Sequence, residues 1–256
     1  MASGSRSSSA PGRDLAAETS NCSSHACPRM PRRPRRATGQ FVFHVFNRAI
    51  QAVDLFEEPA DYHAFVRILK EVAEHQVSMR LLAYVIMPNH WHLVLWPPGD
   101  GSLSRFMQRL TSTHVRRWRD RRGSRGRGAL YQGRFKAVAV QRDDHLLRIC
   151  RYVERNPLRA RLVARAEQWC WSSASTSAPD DDRPVLTIWP IPKPIDWLDS
   201  LNLPEPPRVL GEVRRAIHRG TPYGGVAWRA RVIKELTWPA GVRRPGRPHR
   251  TPRGRD

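Results

Sequence analysis

The sequence predicts an α+β protein built on a ferredoxin-like, split βαβ antiparallel sheet with helices packed on it. Between residues 40 and 170, stretches with the two-residue alternation of strands are interspersed with stretches whose apolar residues recur every three to four positions. Their order is strand, helix, strand, strand, helix, strand. In the split βαβ arrangement this order puts both helices on one face of the sheet and leaves the other face open for a ligand, although other topologies share the same element string.

The first predicted strand is QFVFHVFNR, residues 40–48, with alternate residues on opposite faces. It places His44 beside Val42 and Phe46 on one face, where His44 is either an ordinary strand histidine or an extra ligand. The first helix follows Asp61, a favourable N-cap residue, because apolar residues then recur at i, i+3, i+4 and i+7.

Residues 79–87 and 90–96 are the next two predicted strands, joined by a turn or kink at Pro88 and Asn89. A second helix, capped by Ser102, carries apolar residues at helical spacing and a stripe of arginines. A stripe of one sign favours phosphate contact over a merely solvated face. Residues 134–140 complete the predicted sheet.

The stretch YVIMPNHWHLVLW places two histidines in an apolar strand. His90 and His92 share one face, while Trp91, Leu93 and Leu95 share the other. Neutral imidazole is a common metal ligand, but two ligands are too few for a tight site. A bare His-x-His is more often a pair of satisfied polar residues, so a metal site needs a third ligand elsewhere.

A third helix, capped by Asp143 or Asp144, carries Arg148, Tyr152 and Asn156 four residues apart and therefore on one face. Tyr152 is a candidate nucleophile and Asn156 a candidate oxygen-donating third ligand. Tyr152 alone would equally suit an amphipathic core position. The proline after Asn156 disfavours helical dihedrals there, so we expect the register to loosen at that residue.

Composition indicates a polyanionic partner. The chain has 44 Lys and Arg against 23 Asp and Glu, a formal net charge of +21, although biased codon usage also raises Arg content. Nine Trp, five Tyr and seven Phe suit base stacking as well as core packing. Four irregularly spaced cysteines predict no disulfide framework, and no run is long and apolar enough for a membrane span. We therefore expect a soluble, cytoplasmic protein.

The predicted organisation has five parts. Residues 1–39 are a disordered basic extension, within which Met30 is the expected translation start. The main folded domain is 40–170, and an acidic, then Pro-rich linker is 171–207. A small helical accessory module, 208–238, is expected to help bind the polyanionic partner. An Arg/Pro-rich disordered tail, 239–256, ends the chain.

Several motifs in order resemble one protein family. PNHWHLVLW resembles the histidine-hydrophobic-histidine strand of the HUH single-strand endonucleases, and RYVERNPLRARLV resembles the tyrosine helix of the REP-associated tyrosine transposases. Further similar stretches are GQFVFHVFNRAIQAVDLFEEPADYHAF, LYQGRFKAVAV and RGTPYGGVAWRARV. The resemblance covers residues 30 to 165 and a patch at 219–233.

This resemblance implies cleavage of single-stranded DNA beside a hairpin, dependent on Mg²⁺ or Mn²⁺, through a 5′-phosphotyrosine that can be rejoined. His90 and His92 would be metal ligands, Tyr152 the nucleophile and Asn156 the third ligand. It also implies a monomer, associated with the nucleoid when bound to DNA. The arginines expected to contact DNA are Arg105, Arg109, Arg116, Arg134, Arg148, Arg151, Arg155 and Arg159.

Two other functions stay open. A non-catalytic nucleic-acid-binding protein would keep the fold and bind equally well without Tyr152. An RNA-binding sheet platform would share the topology and stack bases on aromatic residues, but the strands lack the aromatic signature expected of one.

Overall fold

A computed structural model of the chain describes residues 39, 41–50, 54–75, 78–124, 128–177 and 183–236. The predicted N-terminal extension, apart from Gly39, and the predicted tail lie outside the described residues, as does the expected start at Met30. No helix within these ranges is long and apolar enough to cross a membrane.

The centre of the fold is a four-stranded antiparallel sheet with the order β2-β3-β1-β4. This confirms the predicted split βαβ topology. The two-residue turn at Pro88 and Asn89 joins β2 to β3, as the sequence indicated. The strands are β1 (Val42–Arg48), β2 (Arg80–Met87), β3 (His90–Trp96) and β4 (Lys136–Val140).

Within the described residues, five helices form at the predicted places, with shifts of a few residues at their ends, and two short helices at Asn156–Arg159 and Trp197–Asn202 were not predicted. Ser102 was predicted to cap the second helix but is its first residue, because the cap position is Gly101, which makes no side-chain hydrogen bond. Asp61 lies inside the first helix rather than before it, because its carboxylate accepts hydrogen bonds from the Glu57 and Glu58 amides upstream. Asp143 caps the third helix by accepting from the His145 amide at 2.9 Å. The helices are α1 (Pro59–His75), α2 (Ser102–Arg121), α3 (Asp144–Glu154), α4 (Asn156–Arg159), α5 (Trp197–Asn202), α6 (Pro207–Arg219) and α7 (Val226–Leu236).

Helices α1 and α2 cover one face of the sheet and enclose the larger core, which includes Trp91 and Phe106. A buried hydrogen-bonded chain runs through this core. The Trp91 indole donates to the Tyr131 hydroxyl at 3.0 Å, and that hydroxyl lies 2.6 Å from His114 Nδ1. These polar side chains are therefore satisfied inside an apolar layer.

The second face of the sheet was expected to stay open, but α3 packs on it. The apolar stripe of α3, which includes Ile149 and Val153, joins Val94 and Val140 in a second core. Packing this stripe against the sheet removes apolar surface from water, so the covered sheet face is more stable than an exposed one. Any ligand must therefore enter beside α3 rather than lie across the whole sheet.

The segment predicted as a linker is described at 171–177 and 183–207, and both parts contact the outer edge of β2. The Trp171 carbonyl accepts from the Ile86 amide at 2.9 Å, and the Thr187 amide donates to the Leu81 carbonyl at 2.8 Å. The segment also contains α5, whose buried Trp197 indole donates to Glu154 on α3 at 2.6 Å. This packing covers an edge strand that would otherwise expose unpaired backbone groups.

The segment predicted as a small helical module contains two helices, α6 and α7. Helix α6 packs on α3, and the turn between α6 and α7 lies beside β4. There the Tyr223 amide donates to the Ala139 carbonyl at 2.8 Å, and the Gln141 amide donates back to the Tyr223 carbonyl at 3.0 Å. Both edges of the sheet are thus covered by residues that follow α4.

Candidate active site

Three histidines lie together on the face of the sheet that α3 covers. His90 and His92 start β3, and the two rings lie 5.1 Å apart at 88°. His44 on β1 stacks on His92, with ring centroids 5.0 Å apart, and its Nε2 lies 2.9 Å from His92 Nδ1. The alternation of β3 therefore places His90 and His92 on one face, as expected, and β1 contributes a third histidine beside them.

The hydrogen bonds of the pair leave the same ring nitrogen open in each histidine. His90 Nδ1 lies 2.7 Å from the amide oxygen of Asn89, which only accepts, so Nδ1 carries the proton and Nε2 keeps a lone pair. His92 presents Nε2 in the same way when its Nδ1 donates to His44. Metal-binding histidines are commonly oriented through such a bond to the other ring nitrogen.

Burial keeps these imidazoles neutral. Burial is the main cause that lowers the pKa of His44 to about 3 and that of His90 to about 4, and the Arg159 guanidinium contributes in both cases. The pKa of His92 also lies well below its ordinary value, again because of burial. Neutral imidazole is the form that binds a metal. The described residues contain no group of three or more His, Cys, Asp or Glu side chains placed to hold an ion, so a metal here would need a ligand of another type, such as the Asn156 amide.

Tyr152 on α3 faces the histidines. Its ring centroid lies 6.0 Å from that of His92 and 6.1 Å from that of His44, edge-on to both. The structure therefore brings the predicted nucleophile and the predicted ligand pair together across the interface between α3 and the sheet.

Asn156 lies one helical turn beyond Tyr152, where α3 has ended at Glu154 and α4 begins. Its side-chain nitrogen donates to the carbonyls of Tyr152 and Val153 at 3.1 and 3.2 Å. This occupies the nitrogen of the amide and leaves Oδ1 as the atom able to bind a metal. The prediction that the register loosens at Asn156 is wrong, because Asn156 begins α4 and the following proline lies in the first turn of that helix, where proline is tolerated; the break lies one residue earlier, at Arg155.

The arginines predicted to contact DNA fall into two groups. The first group lies near Tyr152 in the sequence: Arg148 and Arg151 on α3, Arg155 between α3 and α4, and Arg159 on α4. Among them Arg155 is 8% exposed, and the Arg159 side chain is 16% exposed, so these two are largely inside the protein. Arg148 faces Tyr223: burial raises the pKa of that phenol, and Arg148 lowers it.

The second group lies away from Tyr152. Arg105, Arg109 and Arg116 are exposed on α2, whose apolar side packs on the opposite face of the sheet. Arg134 is exposed just before β4. Sequence periodicity identified the exposed side of α2 correctly, but it carries no information on which sheet face that helix covers.

A further basic and aromatic group was missed by sequence reasoning. At the end of β3 opposite to His90, the Arg80 guanidinium lies 3.2 Å from the centroid of the Trp96 ring, and that of Arg142 lies 5.0 Å away. Among the described residues neither arginine has a carboxylate within 4 Å. Arg80 comes from β2, Trp96 from β3 and Arg142 from the residues just after β4. Only the pairing of the strands in the sheet brings these three side chains together.

Comparison with known proteins gives a matching family and similar solved structures. Residues 38–156 match the family described as "Transposase IS200 like", a span that ends at Asn156 and includes the histidine pair and Tyr152. The chain is similar to a solved structure described as "Structure of the REP associates tyrosine transposase bound to a REP hairpin", with 18% identity and a TM-score of 0.45. That similarity covers 55% of this chain and 80% of the other. No curated protein matches the chain.

Proposed function

We propose that residues 38–156, which match the IS200-like transposase family, form a domain that cleaves and rejoins single-stranded DNA beside REP-like hairpins. The observation that carries the proposal is the placement of Tyr152 against the His44 and His92 rings, beside the His90 and His92 pair. A phenol next to neutral, buried imidazoles suits attack on a phosphodiester.

In the proposed reaction Tyr152 is the nucleophile. Its Oη attacks the scissile phosphorus and gives up its proton, and the bond from phosphorus to the 3′ oxygen breaks. The 3′ oxygen leaves and is protonated, so the products are a 3′-hydroxyl and a 5′-phosphate joined to Tyr152. Because the phosphotyrosine keeps the energy of the broken bond, a 3′-hydroxyl from another strand can reverse the step without ATP.

His90, His92 and Asn156 would hold Mg²⁺ or Mn²⁺, through Nε2 of each histidine and the amide oxygen. When bound, such an ion neutralises phosphate charge and polarises the bond to the leaving oxygen. The His92 ring is held by its hydrogen bond to His44 and the His90 ring by its bond to Asn89, and the Tyr152 ring of α3 lies edge-on to His44 and His92. These contacts support a ligand geometry that forms before any DNA binds.

DNA contacts are proposed on both sides of Tyr152. The Arg80–Trp96–Arg142 group lies at the end of the sheet where α3 begins, and eight residues of α3 separate that end from Tyr152, about 12 Å. A guanidinium group that stacks on an indole keeps its N–H groups free to bind phosphate. Among the described residues no carboxylate lies close enough to neutralise Arg80 or Arg142. A hairpin stem bound there would present its flanking single strand to Tyr152.

Incubation of the protein with end-labelled single-stranded hairpin DNA and Mn²⁺, followed by denaturing electrophoresis, tests the reaction class. We expect a covalent protein–DNA band with the wild type that Tyr152→Phe abolishes without loss of hairpin binding. His90→Ala should abolish it as well. DNA that is bound but never cut under any metal or flanking sequence would favour the non-catalytic binding protein.

The RNA-binding alternative gains no support, because α3 covers the sheet face on which such a platform would stack bases. If the substrate is chromosomal DNA, the protein works in the cytoplasm and on the nucleoid. We propose that it acts as a monomer, which light scattering of the free and DNA-bound protein tests.

A further inference from the structure

The ring of Tyr152 carries a buried cation on one face. The Arg159 guanidinium carbon lies 4.1 Å from the ring centroid, and its Nη2 donates to the Tyr152 carbonyl at 2.7 Å. Arg159 thus contacts both the side chain and the backbone of the proposed nucleophile. Its side chain is only 16% exposed, so water contributes little to holding the charge there.

A carboxylate from a distant part of the chain meets this arginine. Glu205 lies between α5 and α6, its side chain is 3% exposed, and its Oε2 is 3.5 Å from Arg159 Nη1. Within the described residues neither carboxylate oxygen accepts a hydrogen bond. Burial lowers the pKa of Arg159, while Tyr152 and Glu205 raise it.

Other arginines surround the pair and repel Arg159. Arg155 and Arg214 both lower its pKa. Arg151 is held to the same segment as Glu205, because its Nη2 donates to the Leu203 carbonyl at 2.7 Å. In this cationic setting a buried guanidinium without a counter-charge would turn towards water, and removal of one partner of a buried pair is costly.

We propose that Glu205 is a positioning residue, which keeps Arg159 over the ring of Tyr152. The inference rests on the proposed function only in taking Tyr152 as the nucleophile. Glu205 lies outside the matched span of 38–156, so the segment that follows α5 completes the active site of the transposase domain.

The consequence for catalysis follows from geometry. A guanidinium stacked on the ring restricts the rotation of Tyr152 and places positive charge near the oxygen that loses its proton. Glu205 acts through Arg159, because its carboxylate contacts that guanidinium. Loss of Glu205 should therefore impair the attack of Tyr152 while leaving DNA affinity unchanged.

The first test measures the position of Arg159 and needs no activity. In NMR, the signal of a proton above an aromatic ring is shifted upfield. The Arg159 Nε–H signal, which is identified by its loss in Arg159→Gln, should therefore lie upfield. In Tyr152→Leu it should return to the usual arginine position. Glu205→Leu should also return it to the usual arginine position. Glu235→Leu, which removes an exposed carboxylate of α7, is the matched control. An upfield signal that persists in Glu205→Leu overturns the proposal.

The second test is a double-mutant cycle on the single-turnover rate of covalent complex formation. We expect Glu205→Leu to slow this rate by about 10- to 100-fold, with hairpin Kd within about twofold of wild type. In an Arg159→Gln background the same substitution should have almost no further effect, because Glu205 acts through that arginine. Independent, multiplicative effects would overturn the proposal.

The two tests separate this inference from the proposed function. A wild-type protein that forms no adduct would refute the proposed function, whereas the NMR signal would still decide the role of Glu205. If circular dichroism shows that Glu205→Leu is unfolded, the NMR measurement is made on Glu205→Gln, which keeps the shape of the side chain and removes its charge. A signal unmoved in that variant overturns the proposal as well.

Discussion

The variant His44→Phe tests whether the orientation of His92, a proposed metal ligand, depends on its contact with His44. His44 is fully buried, stacks on both Phe46 and His92, and its Nε2 bonds His92 Nδ1 at 2.9 Å. Phenylalanine keeps the shape and the stacking but removes the acceptor. His92 then loses the bond that fixes its tautomer and ring orientation, while His90 keeps its bond to Asn89.

The size of the effect follows from this single lost contact. Removing a residue that orients a metal ligand typically costs about 10- to 100-fold in metal affinity, or about 1.4 to 2.7 kcal/mol. At a Mn²⁺ concentration 100 times the wild-type Kd, bound metal adds about 2.7 kcal/mol to the free energy of unfolding. In His44→Phe the same concentration should add only about 0.4 to 1.4 kcal/mol.

The assay is urea unfolding of wild type and variant with and without Mn²⁺, supported by direct Mn²⁺ titration calorimetry. His218→Phe, a substitution of an exposed histidine on α6, is the control and should retain the full metal effect. An equal gain from Mn²⁺ in wild type and His44→Phe would refute the reasoning. It would mean that His92 presents its metal-binding nitrogen without help from β1.

Three other predictions concern the core and the basic surface. Burial lowers the pKa of His114 to about 3, so the unfolded chain takes up a proton below pH 6.5 that the folded protein refuses. The free energy of unfolding should therefore fall as pH drops from 6.5 towards 3. Urea titrations of His114→Gln should show a dependence of that free energy on pH that is weaker by about 1.4 kcal/mol per pH unit. Tyr131→Phe should lower the free energy of unfolding by about 1 to 3 kcal/mol at neutral pH, because two buried groups lose their partner; an unchanged urea midpoint would contradict this. Arg80→Ala with Arg142→Ala should weaken hairpin binding and reduce the slope of log K against log salt by about 0.7 to 0.9 per arginine, whereas Arg231→Ala, an arginine paired on α7, should not.

Local pattern was enough to predict the sheet and the histidine pair. Two-residue alternation put His90 and His92 on one face and Trp91 on the other, and both placements hold because each face of β3 meets a different core. The helix carrying Tyr152 was also predicted from its period. The contact between this helix and the histidines was expected only from the family resemblance, because periodicity does not specify which helix covers which face of the sheet.

The rest depended on contacts between residues far apart in sequence. The Pro-rich stretch before α5 has no apolar period and therefore looked like a linker. It is held instead by single side chains, as when the Trp189 indole donates to the Leu82 carbonyl at 2.9 Å. The Glu205–Arg159 contact has the same character, because a lone glutamate between prolines gives no local sign of a buried partner 46 residues earlier.

These long-range contacts explain why the matched span alone makes an incomplete protein. A chain that stopped at Asn156 would keep the four strands and Tyr152 but would expose both sheet edges. It would also leave Glu154 buried on α3 without the Ser173 hydroxyl and the Trp197 indole that bond its carboxylate, each at 2.6 Å. Burial raises the pKa of Glu154, and those two donors oppose the rise. The segments after α4 therefore stabilise the helix that carries Tyr152, the proposed nucleophile, and they bring Glu205 into contact with Arg159.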